Sequence, residues 1–120
     1  QINRKVLVYE DENRMQEALS EALIPKKVQL KFASKDAIGQ SDFDPGLILL
    51  DQASVPLIGK GNLCEKIKSF FPTTPLIVLS AYPLTSFGKY HRHMDGFIEK
   101  PFDLNYFLKC VERYLITTED

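Results

Sequence analysis

The chain has 120 residues, enough for one domain that buries about two thirds of its unfolded surface and too few for a second folded output module. Its 15 basic residues nearly cancel its 16 acidic ones, for a formal net charge of -1, so the global positive field of a dedicated nucleic-acid binder is missing and direct DNA or RNA binding is not expected. No apolar stretch approaches the roughly 18 residues of a membrane span and no secretory signal core is visible, so a cytoplasmic, reducing setting without membrane contact is expected.

The elements follow one another as two alternating kinds of apolar pattern. Val6 to Tyr9 is a short continuous run, as expected of a strand covered on both faces, and it ends in Glu10-Asp11. Met15, Ala18, Leu19, Ala22 and Leu23 then form a helical stripe, with Asn13 and Gln16 in the relation of a capping box and Pro25 as the stop. Val28, Leu30 and Phe32 alternate with Gln29 and Lys31, which leaves one buried face and suits a sheet edge. Ser34 to Ser41 contains Gly39 and has room for only a short helix. Leu47 to Leu50 is the next continuous run, ending in Asp51.

Leu63, Ile67, Phe70 and Phe71 make a second helical stripe, with Asn62 and Glu65 as its capping pair and Pro72 after it. Leu76 to Leu79 runs into Ser80. The crossover from Leu84 to His93 is interrupted by Gly88 and crowded with polar and aromatic residues, so a distorted or mobile segment is expected. Gly96-Phe97-Ile98-Glu99 leads into Lys100-Pro101, and Leu104, Phe107, Leu108, Val111 and Leu115 form the last helix, started by Asp103.

Strand followed by helix, five times over, implies an α/β domain with a parallel sheet, helices on both faces and right-handed crossovers. Cys64 and Cys110 fall on apolar helix faces and read as small hydrophobes. Lys89, His91, Arg92 and His93 read as an exposed loop. The chain opens on Gln1 rather than Met, as a trimmed chain or a piece of a longer protein would.

In an open parallel sheet ligands collect outside the carboxyl ends of the strands. Glu10, Asp11, Asp51, Ser80 and Lys100 all stand there. Taken singly each has a plain structural use: an acidic pair caps a helix, a lone Asp forms a turn, Ser binds its own loop and Lys-Pro is a loop dipeptide. Together they bring acids, a hydroxyl and an ammonium into one crevice. Carboxylates about 4 Å apart repel by roughly 4 kcal/mol per pair at an effective dielectric near 20, so a proton or a divalent cation is needed among them. Mg2+ prefers such oxygen ligands and keeps several waters.

The motifs Val8-Tyr9-Glu10-Asp11-Glu12, Leu49-Leu50-Asp51, Pro75-Leu76-Ile77-Val78-Leu79-Ser80-Ala81 and Lys100-Pro101-Phe102 resemble those of bacterial response-regulator receiver domains. The resemblance runs from about Lys5 to Leu115 and treats 1–120 as one domain. It implies a flavodoxin-like (βα)5 three-layer sandwich with strand order 2-1-3-4-5. It implies that Asp51 accepts a phosphoryl group from the phosphohistidine of a sensor histidine kinase or phosphotransfer protein in a Mg2+-dependent reaction. Asp11 and Asp51 would be direct metal ligands, Glu10 a water-mediated one and Ala53 a ligand through its carbonyl. Lys100 and Ser80 would each take a phosphoryl oxygen. Ser80 and Phe97 would form the switch, and the fourth helix, fifth strand and fifth helix the surface that it alters, through which a homodimer would form. Such a domain catalyses its own phosphorylation and dephosphorylation and is not a turnover enzyme.

The chain departs from the family pattern in three places. The proline after Asp51 comes five residues on, at Pro56, where four is usual, and the crossovers at Ser34 to Ser41 and Leu84 to His93 are short. Tyr82, two residues past Ser80, either shields a phosphoryl group from water or is exposed to solvent. A phosphatase of the haloacid dehalogenase type also uses Asp, Ser or Thr, and Lys after successive strands, but it needs an acid two residues past the nucleophile, where Ala53 stands. The other alternative is a degenerate receiver acting as a phosphorylation-independent interaction module.

Overall fold

The computed structural model describes residues 3–39, 43–52 and 63–116. Five parallel strands, β1 (Lys5–Tyr9), β2 (Gln29–Ala33), β3 (Leu47–Gln52), β4 (Leu76–Ser80) and β5 (Gly96–Glu99), form one sheet in the order β2-β1-β3-β4-β5. The three continuous apolar runs take the three central places, where helices cover both faces and no polar position can be afforded. β2, with its alternating pattern, lies at an edge, and Gln29 is exposed there.

Alternation of side chains along the strands divides the core in two. Val6, Val8, Leu47, Leu49, Ile77, Leu79 and Ile98 face the helices α1 (Asn13–Leu23) and α3 (Leu104–Ile116), meeting Leu19, Leu23, Phe107, Val111 and Leu115. Leu7, Tyr9, Ile48, Leu50, Leu76 and Val78 face the other way, toward Cys64 and Ile67 of α2 (Leu63–Phe70), with Ile38 and Phe87. Each fully buried aliphatic or aromatic side chain contributes about 1.5–3 kcal/mol, so the central strands anchor both layers.

The helix ends differ in part from the sequence reading. Asn13 is the first residue of α1 and not its cap: the chain stays extended through Glu12 (φ -92, ψ 125), which takes the cap position, so the helix starts one residue earlier than a capping box at Asn13 requires. Gln16 Nε2 donates instead to the Glu10 carbonyl at 2.7 Å. Pro25 sits in a 3-10 turn, Ile24–Lys26, that ends on Lys27 in the left-handed region (φ 61). Asp103 does start α3, its Oδ2 accepting the Tyr106 N–H at 3.1 Å. Asn62 lies outside the described residues.

The two irregular crossovers are 3-10 structure, which tightens the backbone and weakens its hydrogen bonds. The first is a single turn, Lys35–Ala37, capped by Ser34. The second, Leu84–His93, consists of two stretches joined by a kink at Gly88 (φ 55, ψ -135), a conformation that side-chain-bearing residues avoid. The fourth helix of the expected switching surface is therefore no α-helix. Gly88 breaks it, and what flanks β5 on that side is a pair of 3-10 turns.

Candidate functional site

The ends of β1, β3 and β5 bring Glu10, Asp51 and Lys100 together. Residue parity puts Glu10 with Val6 and Val8, Asp51 with Leu47 and Leu49, and Lys100 with Ile98, so all three belong to the face covered by α1 and α3. Glu10 and Asp51 are each only 3 % exposed. The Lys100 ammonium donates to Asp51 Oδ1 in a close, partly buried ion pair. The Lys100 N–H also donates to the Ser80 carbonyl at 2.7 Å, which ties the segment after β5 to the end of β4.

Glu10 has a more complicated setting. Its Oε2 accepts the Glu12 N–H at 3.0 Å, so the acid also serves the entry to α1, as its plain structural use would have it. Its Oε1 is buried and meets no donor among the described residues. Burial above all, then a hydrogen bond with the Asp51 carboxyl that exists only while a proton is shared, push the Glu10 carboxyl up to about 7. The pair thus shares a proton or keeps a repulsion that the Lys100 ammonium offsets only in part.

Asp11 is exposed, and no group of three or more His, Cys, Asp and Glu is gathered closely enough to hold a metal among the described residues. Three acids were expected in one crevice; two meet there. Successive side chains along an extended chain point to opposite sides, so turning Glu10 inward leaves Asp11 toward water.

Ser80 lies at the same rim but on the opposite face by parity, beside Gln52 of β3 and Glu99 of β5. It is fully buried, and its Oγ accepts the Tyr82 N–H at 2.9 Å. Phe97 shares that face, paired with Val78 two residues before Ser80, and meets Phe87 edge-on at 5.6 Å. Tyr82 is half-buried.

Neither a protein-family model nor a curated protein matches the sequence. Among solved structures, the chain is similar to a CheY-like response regulator from Mesorhizobium loti, with TM-score 0.78 and 19 % identity over 93 % of this chain and 98 % of that one. It is similar to the response regulator TrrA from Thermotoga maritima, solved in complex with Mg2+-BeF (TM-score 0.76, 20 % identity, 93 % and 99 % covered). It is also similar to the receiver domain of a Pseudomonas aeruginosa sensor histidine kinase, solved with a magnesium ion in its active-site cleft (TM-score 0.75, 17 % identity, 94 % and 98 % covered).

The chain has the response-regulator receiver fold. Its five-stranded parallel sheet in the order 2-1-3-4-5 is the flavodoxin-like arrangement that the motifs implied.

On this receiver fold the acid pair fits a hard divalent ion. Mg2+ is commonly held by one or two carboxylates and several waters, and the buried Glu10 Oε1 without a donor and the adjacent Asp51 carboxylate are such oxygens. Ala53, the expected carbonyl ligand, lies outside the described residues, as does Pro56.

Other residues singled out in the sequence stand apart from the acids. Cys64 is fully buried, and desolvation pushes its thiol up to about 12, so it is an inert part of the core; Cys110 is half-buried and free. His91 is exposed and bonded to the Gly88 carbonyl at 2.8 Å, and His93 lies 3.6 Å from Glu65 on α2. One charged residue of the site was missed. Lys35, in the turn after β2, lies near enough for its charge to favour ionised Glu10. Nothing in the polar stretch Ser34 to Ser41 marks it, because only strand order puts the end of β2 beside the end of β1.

Proposed function

We propose that this chain is a phosphoacceptor receiver domain of a two-component response regulator, 1–120 acting as one unit. The observation that supports this best is the pairing of a buried carboxylate, Asp51, with the Lys100 ammonium at the carboxyl rim of a receiver-fold sheet, with Glu10 beside it. An Asp51 carboxylate oxygen attacks the phosphorus of a phosphohistidine on a sensor histidine kinase or phosphotransfer protein. The P–N bond breaks, the imidazole leaves with the electron pair, and an acyl phosphate forms on Asp51. Such transfer depends on positioning and charge neutralisation and needs no general base.

Glu10 and Asp51 would hold the cation, with Asp11 and the Ala53 carbonyl as the further ligands that the resemblance implies. When bound, Mg2+ supplies charge neutralisation to one phosphoryl oxygen. Lys100 gives up part of its contact with Asp51 and faces a second oxygen. Ser80 releases the Tyr82 N–H and turns its hydroxyl to a third. Phe97, two positions along the same face, fills the space that Ser80 leaves, which alters the surface of the Leu84–His93 segment, β5 and α3. That surface serves a homodimer or a partner. Hydrolysis of the acyl phosphate is catalysed by the same groups, and Tyr82 slows it. The chain is a switch in the cytoplasm and not a turnover enzyme.

A second reading, a phosphorylation-independent interaction module, draws support from the altered loop after Asp51, whose proline stands five residues on, at Pro56. The test is incubation with Mg2+ and a small acyl phosphate, read by intact mass. One added phosphoryl group on the wild-type chain is expected, absent in Asp51→Asn and in the presence of a chelator. No addition to the wild type overturns the phosphoacceptor reading and leaves the module.

A further inference from the structure

One stripe of α1 and the turn that follows it have no task in the proposed reaction. Asn13, Glu17, Ser20, Glu21 and Ile24 recur at helical spacing, and Ile24 keeps helical angles (φ -57, ψ -43), so all five fall on one face. That face borders the edge strand. Asn13, Gln16, Glu17, Ser20 and Glu21 line a groove of about 470 Å³ that Phe32 of β2 closes on its other side. Glu17 and Glu21 are exposed, and neither has an ion-pair partner within 4 Å among the described residues. The turn after α1 has the opposite character. Ile24 is 60 % exposed, more than any other large apolar side chain among the described residues. Lys26 and Lys27 follow it, both exposed and likewise without an ion-pair partner among the described residues. The Lys27 N–H donates to the Ile24 carbonyl at 3.0 Å, which draws Ile24–Lys27 into a tight knob. The Arg4 guanidinium donates to the Lys26 carbonyl at 2.7 Å and pairs with Glu112, which fixes the knob to the body and occupies the neighbouring carboxylate.

We propose that the acidic groove of one copy of this chain receives the Ile24–Lys27 knob of a second copy, and the reverse, in a two-fold dimer with antiparallel α1 helices. Groove and knob follow one another along the same helix. From Glu17, at the middle of the groove, to Pro25, at the middle of the knob, is about 12 Å at a rise of about 1.5 Å per residue. A two-fold axis crossing α1 midway, near Glu21, brings both contacts together at once, which is the self-complementarity that an isologous interface requires. Ile24 then meets the ring of Phe32, and Lys26 and Lys27 meet Glu17 and Glu21. Opposite charges select this orientation, since parallel helices set acid on acid. One helix face and one turn make a contact below the roughly 1,200 Å² of a stable complex, so the dimer forms only at high concentration. It uses none of the groups assigned to phosphoryl transfer and none of the surface assigned to the switch.

The test is sedimentation equilibrium at low salt, with concentration rising into the millimolar range. The wild type is expected to approach twice the mass of one chain, and Ile24→Ser to associate about tenfold more weakly or worse, since two apolar side chains are lost from the contact. At about 1 M salt, where charges are screened beyond about 3 Å, the wild-type association weakens. Charge reversal separates this dimer from any other. The double variants Lys26→Glu with Lys27→Glu, and Glu17→Lys with Glu21→Lys, are each expected to stay monomeric, because knob and groove then carry like charge. Mixed together they are expected to form a heterodimer, because each knob then finds a groove of opposite charge. All four positions are exposed, so the fold does not rest on them. A wild type that stays monomeric overturns the proposal and leaves the groove to a partner of different sequence. A dimer that Ile24→Ser leaves intact, or a mixture of the two reversed variants that does not associate, overturns it as well.

Discussion

The two faces of the sheet are built differently. On one side α1 and α3, of 11 and 13 residues, lie along the strands, and Arg4 clamps the start of β1 to α3 through a bidentate pair with Glu112 whose shorter arm is 2.6 Å. On the other side α2 has 8 described residues, and the rest of the described cover is 3-10 turns with a glycine kink. Glu10, Asp51 and Lys100 belong to the first face by parity, Ser80 and Phe97 to the second. The groups proposed to hold the cation thus rest on regular helices, and those proposed to move rest on the layer with the poorer hydrogen bonds. A sheet one residue thick lets both sets meet at its rim.

The largest expected effect sets a core aromatic of each face against the other. Phe107→Ala, on α3, removes a fully buried ring stacked on Phe102 and is expected to cost about 3–5 kcal/mol in urea denaturation. Phe87→Ala removes an equally buried ring from the kinked segment, and the turns around it can close into the space, so a loss nearer 2 kcal/mol is expected. An equal or greater loss at Phe87 breaks the comparison.

A smaller effect isolates the acids of the regular face. Glu10 keeps its proton to about pH 7 in the folded chain and loses it near 4.5 when unfolded, so between those values the folded form binds more protons. Without divalent ions, stability is full below about pH 4.5 and falls as pH rises to about 7. A loss on the order of 1–2 kcal/mol across that window is expected after allowance for solvent screening. Chemical denaturation in a chelator across this range, with Glu10→Gln giving a flat profile there, checks the sign; stability that rises with pH through the window refutes it.

The smallest effect sharpens the picture of the other face. An alanine Cβ at Gly88 would meet nothing within 4 Å, so Gly88→Ala isolates the backbone cost of φ 55, ψ -135. A loss of about 1–2 kcal/mol is expected in thermal or urea melts. No loss would mean that the segment relaxes into another path.

Much of the architecture could be read from the chain. Continuous apolar runs marked β1, β3 and β4 as central strands, and alternation marked β2 as an edge, because burial on two faces or one leaves that imprint on composition. Gly88 and the polar content of Leu84 to His93 warned of a distorted crossover, though not of 3-10 turns in place of a helix. The cap falls on Glu12, one residue before the capping box at Asn13, because the chain stays extended through Glu12. Asp11 and Glu10 look equivalent in the sequence, and only the direction of the chain after β1 separates the buried acid from the exposed one.

By itself the sequence determined which segments are strands and which polar residues end them, since hydrophobic periodicity is a local property. The tertiary structure decided which of those ends touch: Asp51 with Lys100, 49 residues apart, and Glu10 against Asp51. The reason is that the charge state of a carboxyl depends on burial and on neighbours in space, and no spacing along the chain encodes either.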